Sequence, residues 1–357
     1  MIPSSPQAID AGWLSGALQA RVPGVTVSRV DVERVVDATN ANATMSVVHD
    51  APDRLPNRLF VKMAPVDPDR RARLDWASMA DRETRFYRDL TVPLSIAVPD
   101  VYAAELDDDT GEFALVMEVL GTGRTRMPDL VGGLDPALLG ATMGEFADLH
   151  ARYENLATRE SEVPWLTRSG RTSDYGARLL RAGIDGGAAL APPFVAVAER
   201  YIRDRDLLQD AWELGPATVL HGDGHIGNVF VDERVTPPRI GFFDWGLMTI
   251  GSPMRDISYL LAMTLSPADR RANERRLINE YLEARRRHGA APIAGDDAWF
   301  WHRLQSAYTV VASCQSIVPR PDESPGRSAF AAAFVRRAEE AVADLGALDA
   351  IDEFARR

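Results

Sequence analysis

Two polar motifs in the second half of the chain each follow a run of apolar residues. The first motif, VLHGDGHIGNVFVD, contains Asp223 and, five positions later, Asn228. The second motif, IGFFDWG, places Asp244 at the end of another apolar run. Carboxylates and an amide at strand ends can converge on one point, where one carboxylate accepts a hydroxyl proton and the other groups bind Mg²⁺ beside phosphates. The motifs therefore indicate phosphoryl-transfer chemistry.

Each aspartate taken alone is also consistent with a turn that follows a strand. The complete set favours chemistry, because His221 and Asn228 stand at fixed offsets from Asp223.

The two motifs resemble those of aminoglycoside phosphotransferase-like and choline-kinase-like enzymes, the small-molecule relatives of protein kinases. The D-x-x-x-x-N spacing matches the protein-kinase catalytic loop, and Asp244-Trp245-Gly246 stands where protein kinases have Asp-Phe-Gly. Gly222 replaces the usual arginine, which is typical of the small-molecule branch. The run from HGDGHIGN through FDWG to RDISYLL is more similar to the ecdysteroid-kinase-like branch than to known resistance enzymes. That branch is associated with hydroxylated hydrophobic molecules.

The resemblance implies a role for each polar residue of the motifs. Asp223 would be the catalytic base, and Asn228 and Asp244 would bind Mg²⁺. Asp256, in RDISYLL, would brace the catalytic loop, and His221 would shape it.

His225 in the same loop has two interpretations. It could contact the substrate or a phosphate, or it could make a structural hydrogen bond within the loop, which is the favoured interpretation.

Residues of the N-terminal third match the nucleotide-binding part of the same family. Lys62 lies mid-strand in LFVKM, where it would reach the α and β phosphates. The resemblance pairs this lysine with a helix glutamate, Glu83, although Asp81 is a neighbouring candidate. The strand FALVMEV ends at Glu118 and Val119, whose backbone groups would hold the adenine edge.

The predicted phosphate loop, residues 37–44, departs from the protein-kinase pattern because it contains no glycine. Asparagine tolerates left-handed backbone conformations, and asparagine or threonine side chains can donate to phosphate. Asn40, Asn42 and Thr44 are therefore assigned to the phosphates by position.

The pattern of apolar residues predicts an α+β protein, and the resemblance implies a two-lobed, protein-kinase-like fold. Five runs in the first third alternate or are rich in β-branched residues, which predicts a five-stranded antiparallel sheet with one long helix at about 68–90. The remainder predicts a larger, mainly helical lobe. We place an N-terminal nucleotide-binding lobe at 1–118 and a C-terminal catalytic and substrate-binding lobe at 119–357.

The acceptor is the least defined part of the prediction. A helix predicted at 295–318 places Trp301, Gln305 and Tyr308 on one face. That face could line an amphipathic substrate pocket, but core packing is the favoured interpretation.

Composition excludes several classes of protein. The net charge of −12 argues against general nucleic-acid binding, because phosphate contacts need clustered basic residues. No window approaches 18 uncharged apolar residues, so we expect no membrane partner, and the N-terminus does not resemble a secretory signal, which predicts a cytoplasmic protein. The single cysteine, Cys314, predicts a buried apolar side chain. The sequence does not indicate an oligomeric state.

The predicted function is an ATP-dependent kinase that phosphorylates a hydroxyl group of a small molecule, with ATP and Mg²⁺ as cofactors; GTP is also compatible. The alternative is a catalytically weak or inactive nucleotide-binding scaffold, which usually lacks one of the Lys, Asp, Asn and Asp set that this chain retains. A protein kinase is a third class. The segment between Asp244 and RDISYLL, about ten residues, is too short for an activation segment.

Overall fold

We describe a computed structural model of the chain, which covers residues 1–37, 39–67, 69, 71, 76–90, 94–168, 170–171, 173–318 and 324–357. The chain divides into two compact units. The first consists of Met1–Met127, Asp232–Arg234 and Gly241–Met248, and the second of Pro128–Val231, Val235–Ile240 and Thr249–Arg357.

A five-stranded antiparallel sheet forms the centre of the first unit. Its strands are Val27–Asp37 (β1), Ala41–His49 (β2), Arg58–Met63 (β3), Val101–Leu106 (β4) and Phe113–Glu118 (β5), in the order β1-β2-β3-β5-β4. Alternate residues of β2 are buried, as expected for a strand that covers a core with one face. The predicted five-stranded sheet is confirmed.

Among the described residues of this unit, two α-helices accompany the sheet. Helix α1 (Ala11–Ala17) begins at Asp10, whose Oδ1 accepts a hydrogen bond of 2.7 Å from the backbone N–H of Trp13. Helix α2 (Trp76–Arg85) continues as a π-helical turn, Phe86–Leu90. The helix predicted at 68–90 therefore ends where expected, while positions 68, 70 and 72–75 lie outside the described residues.

The second unit is mainly helical, as predicted. Its helices are Leu139–Glu154 (α3), Leu156–Glu162 (α4), Tyr175–Asp185 (α5), Pro192–Arg203 (α6), Arg205–Trp212 (α7), Pro253–Thr264 (α8), Pro267–Arg287 (α9), Gly295–Ala312 (α10), Pro325–Asp344 (α11) and Ala347–Ala355 (α12). Its core is built around α10, which packs on α8, α11 and α12.

The remaining strands are short. They are Thr125–Arg126 (β6), Thr218–Leu220 (β7), Val229–Asp232 (β8), Arg239–Phe242 (β9) and Thr249–Gly251 (β10). Strand β7 pairs with β10 in antiparallel register, with Leu220 opposite Thr249. This pairing brings the loop after β7 close to the start of α8, which directly follows β10 in the chain.

The first unit includes a segment far along the sequence. Gly241–Met248 belongs to it, and this segment carries Asp244. The predicted boundary after residue 118 instead places Asp244 in the C-terminal lobe. The assignment of a nucleotide-binding and a substrate-binding function to separate lobes stays a prediction.

Two further expectations concern individual features. Burial raises the pKa of the Cys314 thiol to about 11, so this side chain is a protonated, apolar group. Within the described part of the chain, no helix is both long enough and apolar enough to cross a membrane.

Candidate active site

The loop after β7 is held by one buried carboxylate. Asp256, in the first turn of α8, accepts a hydrogen bond of 2.7 Å from the backbone N–H of His221 and one of 2.9 Å from that of Gly222. Gly222 has a φ of 81°, a left-handed conformation that glycine adopts without steric cost. The His221 ring accepts a hydrogen bond of 3.1 Å from the backbone N–H of Asp223 through Nδ1. Asp256 and His221 therefore both make hydrogen bonds to the backbone of this loop.

Asp256 also contacts a buried hydrogen-bond network formed by His150 and Tyr281. The His150 ring lies with Nε2 3.4 Å from Asp256 Oδ2, and its Nδ1 is 2.7 Å from the Tyr281 hydroxyl. Burial lowers the pKa of His150, so the ring is neutral, and a neutral ring can still donate its Nε2 proton to Asp256. Burial opposes ionisation of Asp256, but His150, His221 and the N–H of Gly222 outweigh burial and lower its pKa. Asp256 is therefore an anion.

Asp223 presents a partly exposed carboxylate on this loop. Its Oδ2 accepts a hydrogen bond of 2.9 Å from Nδ2 of Asn228, and its Oδ1 lies 3.4 Å from the hydroxyl of Tyr259. The Asn228 amide also donates to the backbone oxygen of Asp223 at 3.0 Å. These contacts orient the carboxylate, whose side chain is 23% exposed and so open to a ligand.

His225 lies in the same loop as Asp223. Its Nδ1 accepts a hydrogen bond of 2.9 Å from the backbone N–H of Gly227, which caps the short helical turn Ile226–Asn228. This contact leaves the proton on Nε2, which lies 3.6 Å from Asp223 Oδ2. His225 thus makes a structural hydrogen bond within the loop, and its contact with a substrate or a phosphate stays a prediction.

The first unit holds a second polar cluster, centred on Lys62 of β3. Its Nζ lies 2.6 Å from Oε2 of Glu83 on α2 and 2.9 Å from Oδ1 of Asp244. The structure therefore places Lys62 against Glu83, while the alternative, Asp81, forms an ion pair of 2.6 Å with Arg85 instead.

Burial and charge act in opposite directions on this cluster. Burial raises the pKa of Glu83 to about 7, and Lys62 opposes that rise. Burial alone would lower the pKa of Lys62, but the charges of Asp244 and Glu83 outweigh it and raise the pKa. Lys62 is therefore a fixed cation. The Asp244 side chain is 45% exposed, so it is the group of the three that a ligand can approach.

The segment that carries Asp244 docks on α2 through its tryptophan. Asp244 has a φ of 62°, which is unusual for a residue other than glycine and places it in the class of conformations that cluster at functional sites. The next residue, Trp245, is fully buried and stacks on Phe86 with ring centroids 3.7 Å apart. At Gly246 a Cβ atom would lie 3.2 Å from the Cβ of Met79, so glycine permits this close approach.

The structure corrects the predicted phosphate loop. Asn42 and Thr44 lie within β2, so they are strand residues rather than loop residues, and only Asn40 remains in the turn. Asn42 is opposite Lys62 in the register, and opposite residues project from the same face of a sheet. Ala38, also part of the predicted loop, lies outside the described residues.

The predicted hinge residues already have partners. The backbone N–H of Glu118 donates to the Asp100 oxygen at 2.9 Å, and the Glu118 carboxylate forms an ion pair of 2.9 Å with Arg234. The backbone oxygen of Val119 accepts a hydrogen bond of 2.6 Å from the Thr122 hydroxyl. Their contact with adenine stays a prediction.

The three residues predicted to form a substrate face on α10 have different environments in the structure. Gln305 is 1% exposed and donates to the backbone oxygen of Trp212 at 2.8 Å, so it belongs to the core. Trp301 is partly buried and packs on Gly215. Tyr308 is also partly buried, and its ring contacts Tyr259 with a centroid separation of 5.3 Å. Of the three, Tyr308 is therefore linked to the Asp223 loop.

Several residues of this region carry no motif of their own. Tyr259 beside Asp223, Phe86 beneath Trp245, and His150 behind Asp256 were not predicted from the sequence. Each lies on a helix, and a helical aromatic residue or histidine looks like any other core position. Tyr259 alone had a local signal, because it lies three residues after Asp256 and thus on the same face of α8.

The class of this protein follows from comparison with known proteins. A model of the phosphotransferase enzyme family (APH) matches residues 34–292. The match covers more than half of the chain, and the chain belongs to this family, as the motifs predicted. The chain is thus an enzyme of the kinase class.

Several solved structures share the fold of this chain. An amicoumacin kinase in complex with AMP-PNP and Ca²⁺ superposes with a TM-score of 0.55 at 16% identity, covering 86% of this chain and 87% of that one. Choline kinase LicA from Streptococcus pneumoniae gives 0.51 at 12% identity, covering 93% and 98%. The GDP complex of aminoglycoside 2'-phosphotransferase-IIIa gives 0.51 at 14% identity, covering 94% and 99%. No curated protein sequence matches this chain.

Proposed function

We propose that this protein transfers the γ-phosphoryl group of ATP to a hydroxyl group of a small molecule. The observation that carries the proposal is the Asp223 carboxylate, which is partly exposed, oriented by Asn228 and Tyr259, and mounted on a loop bound to Asp256. A base needs this combination of fixed direction and open access, because it must lie within hydrogen-bonding distance of the hydroxyl proton.

The proposed mechanism relies on positioning and charge. Asp223 accepts the proton of the acceptor hydroxyl as its oxygen attacks the γ-phosphorus, and ADP leaves. Asn228 and Tyr259 hold the carboxylate in the direction of that proton. Since the loop is anchored through Asp256, the base keeps its place without rearrangement during the reaction.

Lys62 is proposed to bind the phosphates of the nucleotide. It is a fixed cation on the same sheet face as Asn42, and Glu83 holds its ammonium group in place. A cation anchored in this way can bind phosphate oxygens without first losing the freedom of a long side chain.

Asn228 and Asp244 are proposed as the Mg²⁺ ligands, and the donor set fits this ion. Asn228 uses its Nδ2 for Asp223, so its amide oxygen is directed elsewhere, and Asp244 offers an exposed carboxylate. Such hard oxygen donors suit Mg²⁺, which usually takes only one or two protein ligands beside phosphates and water. When bound, Mg²⁺ supplies neutralisation of the phosphate charge.

The test is ADP release from Mg·ATP across hydroxylated metabolites, steroids and aminoglycosides, with Asp223→Asn beside the wild type. We expect turnover of one acceptor class and a loss of kcat of about 10²- to 10⁴-fold in the variant. Asp296→Asn, at an exposed position in the first turn of α10, is the matched control and keeps full activity.

Nucleotide binding is measured separately by calorimetry. Retained activity in Asp223→Asn contradicts the assignment of the base. Binding of Mg·ATP without ADP release from any acceptor favours the alternative of a non-catalytic nucleotide-binding protein.

A further inference from the structure

A chain of buried polar side chains leads from helix α9 to the carboxylate that anchors the Asp223 loop. The inference drawn from this chain deepens the proposed function and rests on it. His150 of α3 lies with Nδ1 2.7 Å from the hydroxyl of Tyr281 on α9, and that hydroxyl lies 3.4 Å from Nη1 of Arg285. All three side chains belong to residues that are at most 1% exposed, so bulk water does not compete for these contacts.

The direction of each hydrogen bond in the chain follows from the chemistry of its members. An arginine side chain carries only donors, so the Tyr281 oxygen accepts from Arg285. Among the residues that the structure describes, the other hydrogen-bond partner of this hydroxyl is His150, so its proton goes to Nδ1. The ring proton of His150 therefore lies on Nε2, which donates to Oδ2 of Asp256 at 3.4 Å.

The carboxylate at the other end of the chain requires the same arrangement. Its Oδ2 accepts the backbone N–H of His221, and its Oδ1 accepts that of Gly222. An ionised carboxylate has no proton to give, so Nε2 of His150 must be the donor to Asp256. Burial raises the pKa of Tyr281, so its hydroxyl keeps its proton. Both ends of the chain thus favour one tautomer of His150.

The members of the chain are attached to the helices and to the strand that leads into the loop. Nη2 of Arg285 donates to Oε2 of Glu154 at 2.7 Å. Glu154 lies one turn after His150 on α3, and Arg285 lies one turn after Tyr281 on α9, so two pairs of residues join the two helices. The backbone oxygen of His150 also accepts a hydrogen bond of 2.7 Å from the hydroxyl of Thr218 in β7. His150 is therefore linked to the loop through its ring and through its backbone.

Stability alone does not require polar side chains at these positions. Replacement of a buried ion pair by apolar residues of similar volume is often neutral or stabilising. The polar chain instead supplies direction. Because the Tyr281 hydroxyl binds Nδ1, the His150 ring cannot turn over without leaving a buried nitrogen unpaired, which is costly. Nε2 is thus kept on Asp256.

We propose that Tyr281 is a positioning residue for phosphoryl transfer. It acts through His150, whose ring it holds with Nε2 towards Asp256, and Asp256 in turn holds the loop backbone that presents the Asp223 carboxylate. Arg285 fixes the direction of the Tyr281 hydroxyl. Loss of this hydroxyl loosens the hydrogen bonds of the loop and slows the chemical step.

Tyr281→Phe removes the hydroxyl and keeps the ring, so it tests the chain with little change in packing. Hydrogen exchange of the backbone N–H groups of His221 and Gly222 reports on the loop without any acceptor, and NMR of protein with isotope-labelled histidine and glycine measures it. We expect both groups to exchange about threefold to tenfold faster in the variant, as for the loss of one hydrogen bond. The kcat for ADP release falls by a similar factor.

Tyr153→Phe is the matched control. Tyr153 lies three residues after His150 on α3, is buried, and donates its hydroxyl proton to Glu162 at 2.8 Å, so this variant loses a hydrogen bond of the same kind outside the chain. We expect it to keep the wild-type exchange at His221 and Gly222 and the wild-type kcat. A general loss of stability would instead change both variants alike.

Substitutions at position 150 show whether Tyr281 acts through His150. A glutamine amide reaches the place of Nε2 and leaves none at Nδ1, whereas an asparagine amide takes the place of Nδ1 and leaves none at Nε2. We expect His150→Gln to keep more of the loop protection and of kcat than His150→Asn. In the His150→Gln background, Tyr281→Phe causes no further loss. The nitrogen spectrum of the wild-type ring needs no variant and shows a neutral His150 protonated on Nε2.

Four results overturn the role of Tyr281. They are equal exchange at the loop in Tyr281→Phe and Tyr153→Phe, faster exchange without a fall in kcat, a full loss that persists in the His150→Gln background, and a wild-type His150 protonated on Nδ1. The base is tested separately by Asp223→Asn and by Mg·ATP binding. Failure of those measurements overturns the proposed function, while exchange and the ring spectrum still decide whether Tyr281 holds the loop.

Discussion

Trp245 stacks on Phe86 with ring planes 11° from parallel and centroids 3.7 Å apart. The contact joins the segment that carries Asp244 to the end of α2, the helix that carries Glu83. Because Lys62 is bound to both acidic groups, the stacked pair helps to hold all three charges in one place.

Truncation of Trp245 is expected to loosen this cluster. Trp245→Ala leaves a cavity under Asp244, and loss of a large buried aromatic side chain destabilises a protein by about 3–5 kcal/mol. We expect a lower midpoint in urea and a raised KM for ATP. Trp245→Phe keeps a stacked ring and serves as the control. A KM for ATP that is equal in both variants and in the wild type would contradict the link between the stack and the nucleotide.

The two acidic residues of α2 are expected to differ in function. Above a pH of about 7, where the Glu83 carboxyl group is ionised, Glu83→Gln removes the anion that holds Lys62, so the KM for ATP rises about tenfold, which corresponds to the loss of one charge-assisted hydrogen bond. Asp81→Asn breaks only the ion pair with Arg85 and leaves the KM unchanged. Steady-state kinetics at several ATP concentrations measure both. Equal effects of the two substitutions would refute the specific pairing of Lys62 with Glu83.

The raised pKa of Glu83 predicts how stability changes with pH. The folded protein binds this proton more tightly than the unfolded chain, whose ordinary value is 4.5, because the folded pKa is about 7. The contribution of Glu83 to the free energy of unfolding is therefore complete below the ordinary value and is lost as the pH rises through about 7. The Tm of the wild type relative to Glu83→Gln should fall over that interval. A difference in Tm that is independent of pH would show that Glu83 does not titrate there.

The left-handed conformation of Gly222 predicts that an alanine at this position lowers kcat, an effect that can be separated from the loss of stability caused by backbone strain. Gly222→Ala forces a Cβ into a φ of 81°, and Gly24→Ala does the same at a φ of 78° outside the candidate site. Both should lose about 1–2 kcal/mol of stability. Only Gly222→Ala should also lower kcat, since its N–H binds Asp256 and its neighbour is Asp223. Urea unfolding and ADP release measure the two effects, and a normal kcat in Gly222→Ala would argue against a requirement for the loop path.

The local motifs could be predicted because each is contained in a few residues. Asp223 and Asn228 share one loop, so their spacing alone brings the amide to the carboxylate. Alternating burial likewise marks a strand such as β2 wherever it occurs. The length of the phosphate loop was wrong, because turn-forming asparagines such as Asn42 also pair within a strand when a partner strand is available.

The sequence by itself predicted the family, the succession of strands and helices along the chain, and candidate residues for the chemistry, because these predictions follow from patterns over short stretches of chain. Only the tertiary structure decided that Asp244 binds Lys62, that Gln305 lies in the core, and that the guanidinium group of Arg255 lies over the ring of Tyr308. The physical reason is that burial and charge pairing depend on contacts between residues distant in the chain. The periodicity of one helix cannot specify which neighbour will cover it.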